Sequence, residues 1–348
     1  MSTPIPVSAR TVVLQNHVTP EHPLDLSFTS SGTFAVKDFP IPNPVPEDSL
    51  LVRTEDLVTL PPGTPFPAYV ALGRVIQVGG KDDQFKVGDI VQVWYVYWAD
   101  YIVAPKAKAK LLNPIPGASI SAYLGALGSS GEIVYWALKG VKPKETDTLI
   151  VSGAAGALGC VAVQYAKKVL GVKRVVAIAG TDEKCDWVKS IGADEAVNYK
   201  SPTFVRDLEK ATPDKADLFL DIVGGSILDE VLMRMKTHGI ICEAGAMAMM
   251  EKLDHDEPVV LKNFPHILVN RLTLKGFTMN DYLDRDSLDE AGAALSEAAA
   301  AGKLVANGEA ETVIDVDGQM EKVPIVWNTG ANKGKLITKV VGIHYVMM

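Results

Sequence analysis

The chain has 348 residues, 47% of them apolar, with mean hydropathy +0.14 and a formal net charge of −8. That length allows a large buried core and two domains, and the acidic balance argues against nucleic acid, whose phosphates draw on a basic surface. Three cysteines, Cys160, Cys185 and Cys242, are too few and too scattered for a disulfide framework, which points to a reducing cytoplasm.

No run approaches the roughly 18 uncharged apolar residues of a membrane span, and "MSTPIPVSAR" lacks the basic-then-apolar order of a signal peptide. Residues 1 to about 124 carry short β-like runs such as "RTVVLQN", "LLVRTE" and "GRVIQVGG", separated by turn signals such as "PNPVPED" and "PPGTPFP". This spacing predicts an all-β unit. The aromatic run from Trp94 to Tyr101 alternates as a strand, and one of its faces suits an apolar pocket.

From about residue 125 the texture changes to apolar runs at Thr148–Ser152, Arg174–Ala179, Leu218–Val223, Gly239–Ala244 and Leu272–Phe277, with helical patterns between the first four. Such alternation predicts βαβ units and a parallel sheet. "SLDEAGAALSEAAAAGK" reads as a helix with a capping box of Ser287 and Glu290 and a stop at Gly302. The tail after residue 310 returns to short strands that rejoin the N-terminal unit.

The stretch "LIVSGAAGALGCVAVQYAKKVLG" carries the chemistry. Read against G-x-G-x-x-G, Ala154 takes the first place and Gly156 and Gly159 the second and third. A small residue permits the tight turn, Gly156 lets backbone approach a pyrophosphate, and Gly159 lets helix and strand pack closely. The pyrophosphate would sit at the helix N-terminus, where unpaired N–H groups favour anions. At the end of the next strand, where NAD binders carry an acid for the ribose 2′-hydroxyl, stand Ala179 and Gly180. Asp182 comes late and Lys184 follows it. A carboxylate absent and an ammonium nearby suit the 2′-phosphate of NADP(H). The alternative is a plain helix start with Asp182 and Glu183 in its first turn.

The six histidines show no ligand spacing and none pairs with a nearby cysteine, so no metal is expected. No G-x-S-x-G of a serine hydrolase appears.

The segments "VSGAAGALGC", "AIAGTDEKCDWVKSIGADEAVNYK" and "DIVGG" make the chain resemble the medium-chain dehydrogenase/reductases, and within them the zinc-free, NADPH-dependent alkenal double-bond reductases. That branch includes prostaglandin/leukotriene and curcumin reductases. The resemblance implies a GroES-like β-rich domain, residues 1–124 with 310–348, and a Rossmann doubly wound parallel-sheet domain, residues 125–309. It implies that Gly156, Ala157, Leu158 and Gly159 cradle the pyrophosphate, beside the acid-free Gly180. Lys184 and Tyr199 would hold the 2′-phosphate, with Ile222, Gly245 and Ala246 at strand ends facing the cofactor. Phe277, Thr278 and Met279 would follow the last strand, and Asn332 would lie near the nicotinamide.

The resemblance also implies a cytoplasmic homodimer acting on a small apolar α,β-unsaturated carbonyl. The chain departs from the family around the substrate. "SSGEIVY" stands for "MPGLTAY", putting Glu132 and Ile133 where leucine and threonine are expected. Ile222 replaces the asparagine of "DNVGG", and "GAMAMMEK", with Met247, Met249 and Met250, lacks the usual tyrosine. Tyr282 is the candidate proton donor, with water or the cofactor's own 2′-hydroxyl as alternatives, or else an aromatic at a subunit surface. Glu132 is either a site carboxylate or a solvated helix-start residue. Quinone reduction, an unusual redox step in secondary metabolism, and cofactor binding without catalysis are the rival functions.

Overall fold

A computed structural model describes residues 6–14, 33–58, 68–81, 84–96, 99–250, 260–316, 319–322 and 332–339. The chain divides into two compact units, one of Met1–Pro114, Thr312–Asn332 and Leu336–Met348, the other of Ile115–Glu311 and Lys333–Lys335.

The first unit is built on antiparallel strands. Ser8–Leu14 pairs with Phe34–Pro40 as a two-stranded sheet, and the strands from Ser49 to Leu111 build a larger one. Lys335–Lys339 returns from the far end of the chain to pair antiparallel with Ser49–Val58. Alternate residues of these strands, among them Val12, Leu50, Val52, Val75, Val91 and Val93, point inward to one core, as the two-residue period of a strand dictates.

The second unit carries a six-stranded parallel sheet. Numbered within this unit, its strands are β1 (Thr148–Val151), β2 (Arg174–Ala179), β3 (Glu195–Asn198), β4 (Ala216–Asp221), β5 (Met235–Glu243) and β6 (Thr273–Gly276). Their order across the sheet is β3-β2-β1-β4-β5-β6, the doubly wound arrangement whose direction reverses beside β1. All four residues of β1 are buried, as expected of a strand covered on both faces. The helices are α1 (Ser129–Val141), α2 (Ala157–Gln164), α3 (Asp182–Ile191), α4 (Phe204–Ala211), α5 (Gly225–Leu232) and α6 (Arg285–Ala300). The two-domain α/β class expected from the sequence is the class observed.

One helix start differs from the reading of the sequence. The N-cap of α6 is Asp284, which accepts from the Ser287 N–H (2.9 Å) and Oγ (2.6 Å), so the helix starts before the expected capping box. A carboxylate at the cap receives two donors, which Ser287 does not match. Glu290 is drawn instead to Tyr135 and Lys139 of α1. α2 keeps regular α-geometry only to Gln164 and then widens into a π-turn over Tyr165–Val169, ending before Gly171 at φ 68°.

The close approach of α2 to the end of β1 leaves no room for a side chain at Gly159. A Cβ there would lie 2.3 Å from the Gly153 carbonyl oxygen and 2.5 Å from Ala154 Cα. Helix propensity alone would favour alanine by about 1 kcal/mol, but forced overpacking costs about 1–3 kcal/mol or more. Gly159→Ala is therefore expected to lower the melting midpoint by several degrees. At Gly276, where nothing lies within 4 Å of the position a Cβ would take, Gly276→Ala should leave stability within about 0.5 kcal/mol of wild type. Thermal unfolding of both variants checks the contrast.

Candidate functional site

The turn between β1 and α2 has the local form that its sequence demands. Gly153 adopts φ 56°, a left-handed conformation that glycine takes without strain, and its N-terminal neighbour Ser152 is fully buried. Gly156 is the N-cap of α2, and no side-chain hydrogen bond caps the helix. Ala157 and Leu158 are half-buried, whereas Gly159 and Cys160 behind them are buried. The turn is also held from the far end of the chain. Gly334 bridges Gly156 in parallel fashion and donates its N–H to the Ala155 carbonyl at 2.8 Å. An anion placed before α2 meets backbone N–H groups and the positive end of the helix dipole.

At the end of β2 the space over Gly180 is already taken. A Cβ on Gly180 would lie 3.1 Å from Tyr199 Cε1 and 3.4 Å from the Tyr199 hydroxyl. Tyr199 is held by its N–H bond to the Ala179 carbonyl (2.9 Å), and the Lys200 ammonium stands 5.7 Å from its ring centroid. The Thr181 hydroxyl caps α3 by accepting from the Lys184 N–H (3.2 Å). The late acid Asp182 is turned to Asn198, whose side-chain amide donates to it at 2.8 Å. Lys184 is half-buried, and its ammonium is held below the usual lysine value, first by burial and then by the charges of Lys200 and Lys333. Ammonium groups gathered beside an aromatic ring fit a doubly charged phosphate.

Across the C-terminal edge of the sheet, the expected residues Ile222 and Gly245 are drawn together. Gly245 packs on the backbone of Ile222, where a Cβ would meet the Ile222 carbonyl oxygen at 2.6 Å. The Phe277 N–H bonds the Glu243 carbonyl at 2.9 Å, and Ala246 is exposed at the start of the next loop. Thr278 caps the short 3-10 turn Met279–Tyr282. Tyr282 stacks on Trp136 of α1, with ring centroids 4.4 Å apart and planes at 15°, and on Phe277 at 5.7 Å. Stacking of this kind fixes a ring's position. Asn332 is half-buried and directly precedes the residues that strap the glycine turn. Glu132 is 3% exposed in the first turn of α1, so it is not a solvated helix-start residue. The side chains of Met249 and Met250, and Tyr97 and Trp98 of the aromatic run, lie outside the described residues.

Sequence reasoning passes over two groups here. Lys200 and Lys333 each sit one residue from a named site residue, in "NYK" and "GANKGK". The second group is an acid pair that ends two neighbouring strands, "LFLD" and "IICE". Asp221 and Glu243 stand in register on β4 and β5 and so project from the same face. Asp221 Oδ1 accepts from Ser152 Oγ (2.6 Å), Val223 N–H (2.9 Å) and Gly224 N–H (2.9 Å), while Ser152 Oγ accepts from the Ile222 N–H (2.8 Å). Asp221 thus shapes the loop that carries Ile222. Its Oδ2 and the Glu243 Oε1 are buried without a hydrogen-bond partner among the described residues.

The three thiols do not favour zinc. Burial pushes the thiols up to about 12 at Cys160 and about 11 at Cys185 and Cys242, the opposite of what thiolate ligation needs. Among the described residues no three His, Cys, Asp or Glu side chains cluster as a metal site.

Residues 157–297 match the family model described as zinc-binding dehydrogenase. The chain is 34% identical over 282 residues to YfmJ of Bacillus subtilis, which carries the name of an NADP-dependent oxidoreductase, covering 79% of this chain and 80% of that one. It is 30% identical over 300 residues to an NADP(+)-dependent 2-alkenal reductase of Nicotiana tabacum, covering 79% of this chain and 82% of the relative. Among solved structures it is similar to CurA of Vibrio vulnificus in complex with NADPH, with TM-score 0.79, 25% identity, and 96% and 99% of the two chains covered.

The acid pair gives stability a pH dependence. Burial, and then the neighbouring charge of Asp221, push the Glu243 carboxyl up to about 7. The folded protein keeps that proton where the unfolded chain has released it, so stability falls as pH rises from about 4.5 through 7. Glu243→Gln should therefore be more stable than wild type at pH 8, by about 1–3 kcal/mol, with the difference shrinking towards pH 5. Denaturant unfolding at both pH values measures it, and a difference independent of pH would contradict the assignment.

Proposed function

This chain belongs to the medium-chain dehydrogenase/reductase family, in its NADPH-dependent alkenal double-bond reductase branch, and from that premise we propose that it reduces a C=C bond conjugated to a carbonyl. The observation that carries the proposal is the cofactor end of the second unit. There the Gly156–Gly159 turn presents N–H groups, and Gly180 is roofed by Tyr199 where NAD binders carry an acid.

NADPH fits these residues. Gly156, Ala157, Leu158 and Gly159 hold its pyrophosphate, and Lys184 and Tyr199, joined by Lys200, hold the 2′-phosphate. Ile222, Gly245, Ala246, Phe277, Thr278, Met279 and Asn332 line the nicotinamide half. When bound, the cofactor supplies a hydride to the electron-poor β-carbon of an enal or enone. The protein's own work is to fix the alkene against that carbon and to stabilise the charge that gathers on the carbonyl oxygen. Tyr282, fixed by its stack with Trp136 and Phe277, is the proposed donor of the proton to the α-carbon.

Further features support the rest of the reading. β6 is an edge strand exposed along its length, which suits pairing with a second copy in a homodimer. All three cysteines are free and buried, which accords with the cytoplasm, and among the described residues no helix is long and apolar enough to cross a membrane. The donor chemistry at Cys160, Cys185 and Cys242 supports metal-independent action.

The test is NADPH oxidation at 340 nm with a panel of short enals, enones and quinones. Turnover of enals or enones with the saturated carbonyl as product is expected. Turnover of quinones alone would redirect the reading, and cofactor binding without turnover of any of them would end the enzymatic one. Tyr282→Phe is expected to lower kcat by about 10²-fold or more with KM little changed; an unchanged kcat would remove Tyr282 as the donor in favour of water or the cofactor's 2′-hydroxyl.

A further inference from the structure

Lys333 is not among the residues assigned to the cofactor above, yet the backbone fixes where it stands. Gly334, the next residue, adopts φ 65°, and a Cβ there would lie 1.7 Å from the Ala310 carbonyl oxygen. Glycine is thus obligatory at 334, and its bridge to Gly156 and its 2.8 Å bond to the Ala155 carbonyl tie this strap to the glycine turn. The Lys335 N–H bonds the Ala310 carbonyl at 3.1 Å and holds the other side. Lys333 therefore sits on a pinned segment, exposed, immediately beside the start of α2.

Its charge reaches Lys184, as does that of Lys200. The three lysines come from three separate parts of the chain: the first turn of α3, the residue after Tyr199, and the strap. Like charges gathered in this way repel one another in the free protein, and the repulsion is relieved when a polyanion enters between them. An aromatic ring over Gly180 and the open first turn of α2 complete the surroundings of that position.

We propose that Lys333 is a third cation for the 2′-phosphate, reaching it from the strap across the glycine turn and adding to the preference for NADP(H) over NAD(H). The proposal rests on the cofactor reading given above and deepens it, because it assigns cofactor selection to a segment far along the chain from the Rossmann fingerprint. The ammonium acts as a point charge on a flexible stem, so arginine, with its own fixed charge, substitutes for it in part.

The experiment titrates the full-length protein with NADPH and with NADH, following nucleotide fluorescence, for wild type, Lys333→Ala, Lys333→Gln, Lys333→Arg and Lys184→Ala. Lys333 is exposed, so the variants are expected to fold, and melting midpoints without nucleotide check it. The expected result is a loss of about tenfold in NADPH affinity for the Ala and Gln variants, the worth of one charge-assisted contact. NADH affinity should stay within about twofold, and Arg should restore most of the loss. Unchanged NADPH affinity in both neutral variants, with Lys184→Ala weakened, would overturn the role of Lys333 and leave the cofactor reading standing. Equal losses for NADPH and NADH would also overturn it, because a contact with the pyrophosphate serves both. If wild type binds neither nucleotide, the cofactor reading falls as well.

Discussion

The backbone at the end of β1 comes so close to the start of α2 that Gly159 has no space for even one carbon beyond its Cα. This approach sets the direction of the turn and brings Gly156 to the N-terminus of a helix that no side chain caps. The strap at Gly334 bonds Ala155 in the same turn. Replace the close contact with an ordinary helix–strand spacing, and neither the anion site nor the strap keeps its place.

Charge then decides which nucleotide suits the fold. An acid at position 180 would serve a ribose diol, but the place is held by glycine, with the Tyr199 ring in tight contact with the position a Cβ would take. The late acid, Asp182, is bound to Asn198, while the Lys200 ammonium stands over the tyrosine ring. On the other side of β1, buried Asp221 organises the loop through Ile222, and burial raises the Glu243 carboxyl beside it to about 7.

Much of this is legible in the residues because local rules govern it. The β-run spacing, the glycine turn and the missing acid at Gly180 depend on neighbours in sequence, and the resemblance to a known family supplies the strand-end residues. What stays hidden depends on contacts across the fold. The capping of α6 by Asp284 escapes the sequence because Ser287 and Glu290 satisfy the same pattern, and only the packing of α1 draws Glu290 away. The pairing of Asp221 with Glu243 needs the register of β4 and β5, which no single segment specifies. The influence of the Lys333 charge on Lys184 links segments far apart in the chain, and Tyr282 gives no sign in sequence that it stacks on two other rings.

In the proposed reaction a hydride carried by NADPH ends on the carbon β to a carbonyl. The most direct measurement supplies NADPH deuterated at C4 of the nicotinamide, in either face, with an enal in ordinary water, and locates the label in the product by NMR. Deuterium on the β-carbon from one face of the cofactor, and solvent hydrogen on the α-carbon, is the result predicted. Deuterium on the carbonyl carbon, giving an unsaturated alcohol, or no transfer from either face, would contradict it.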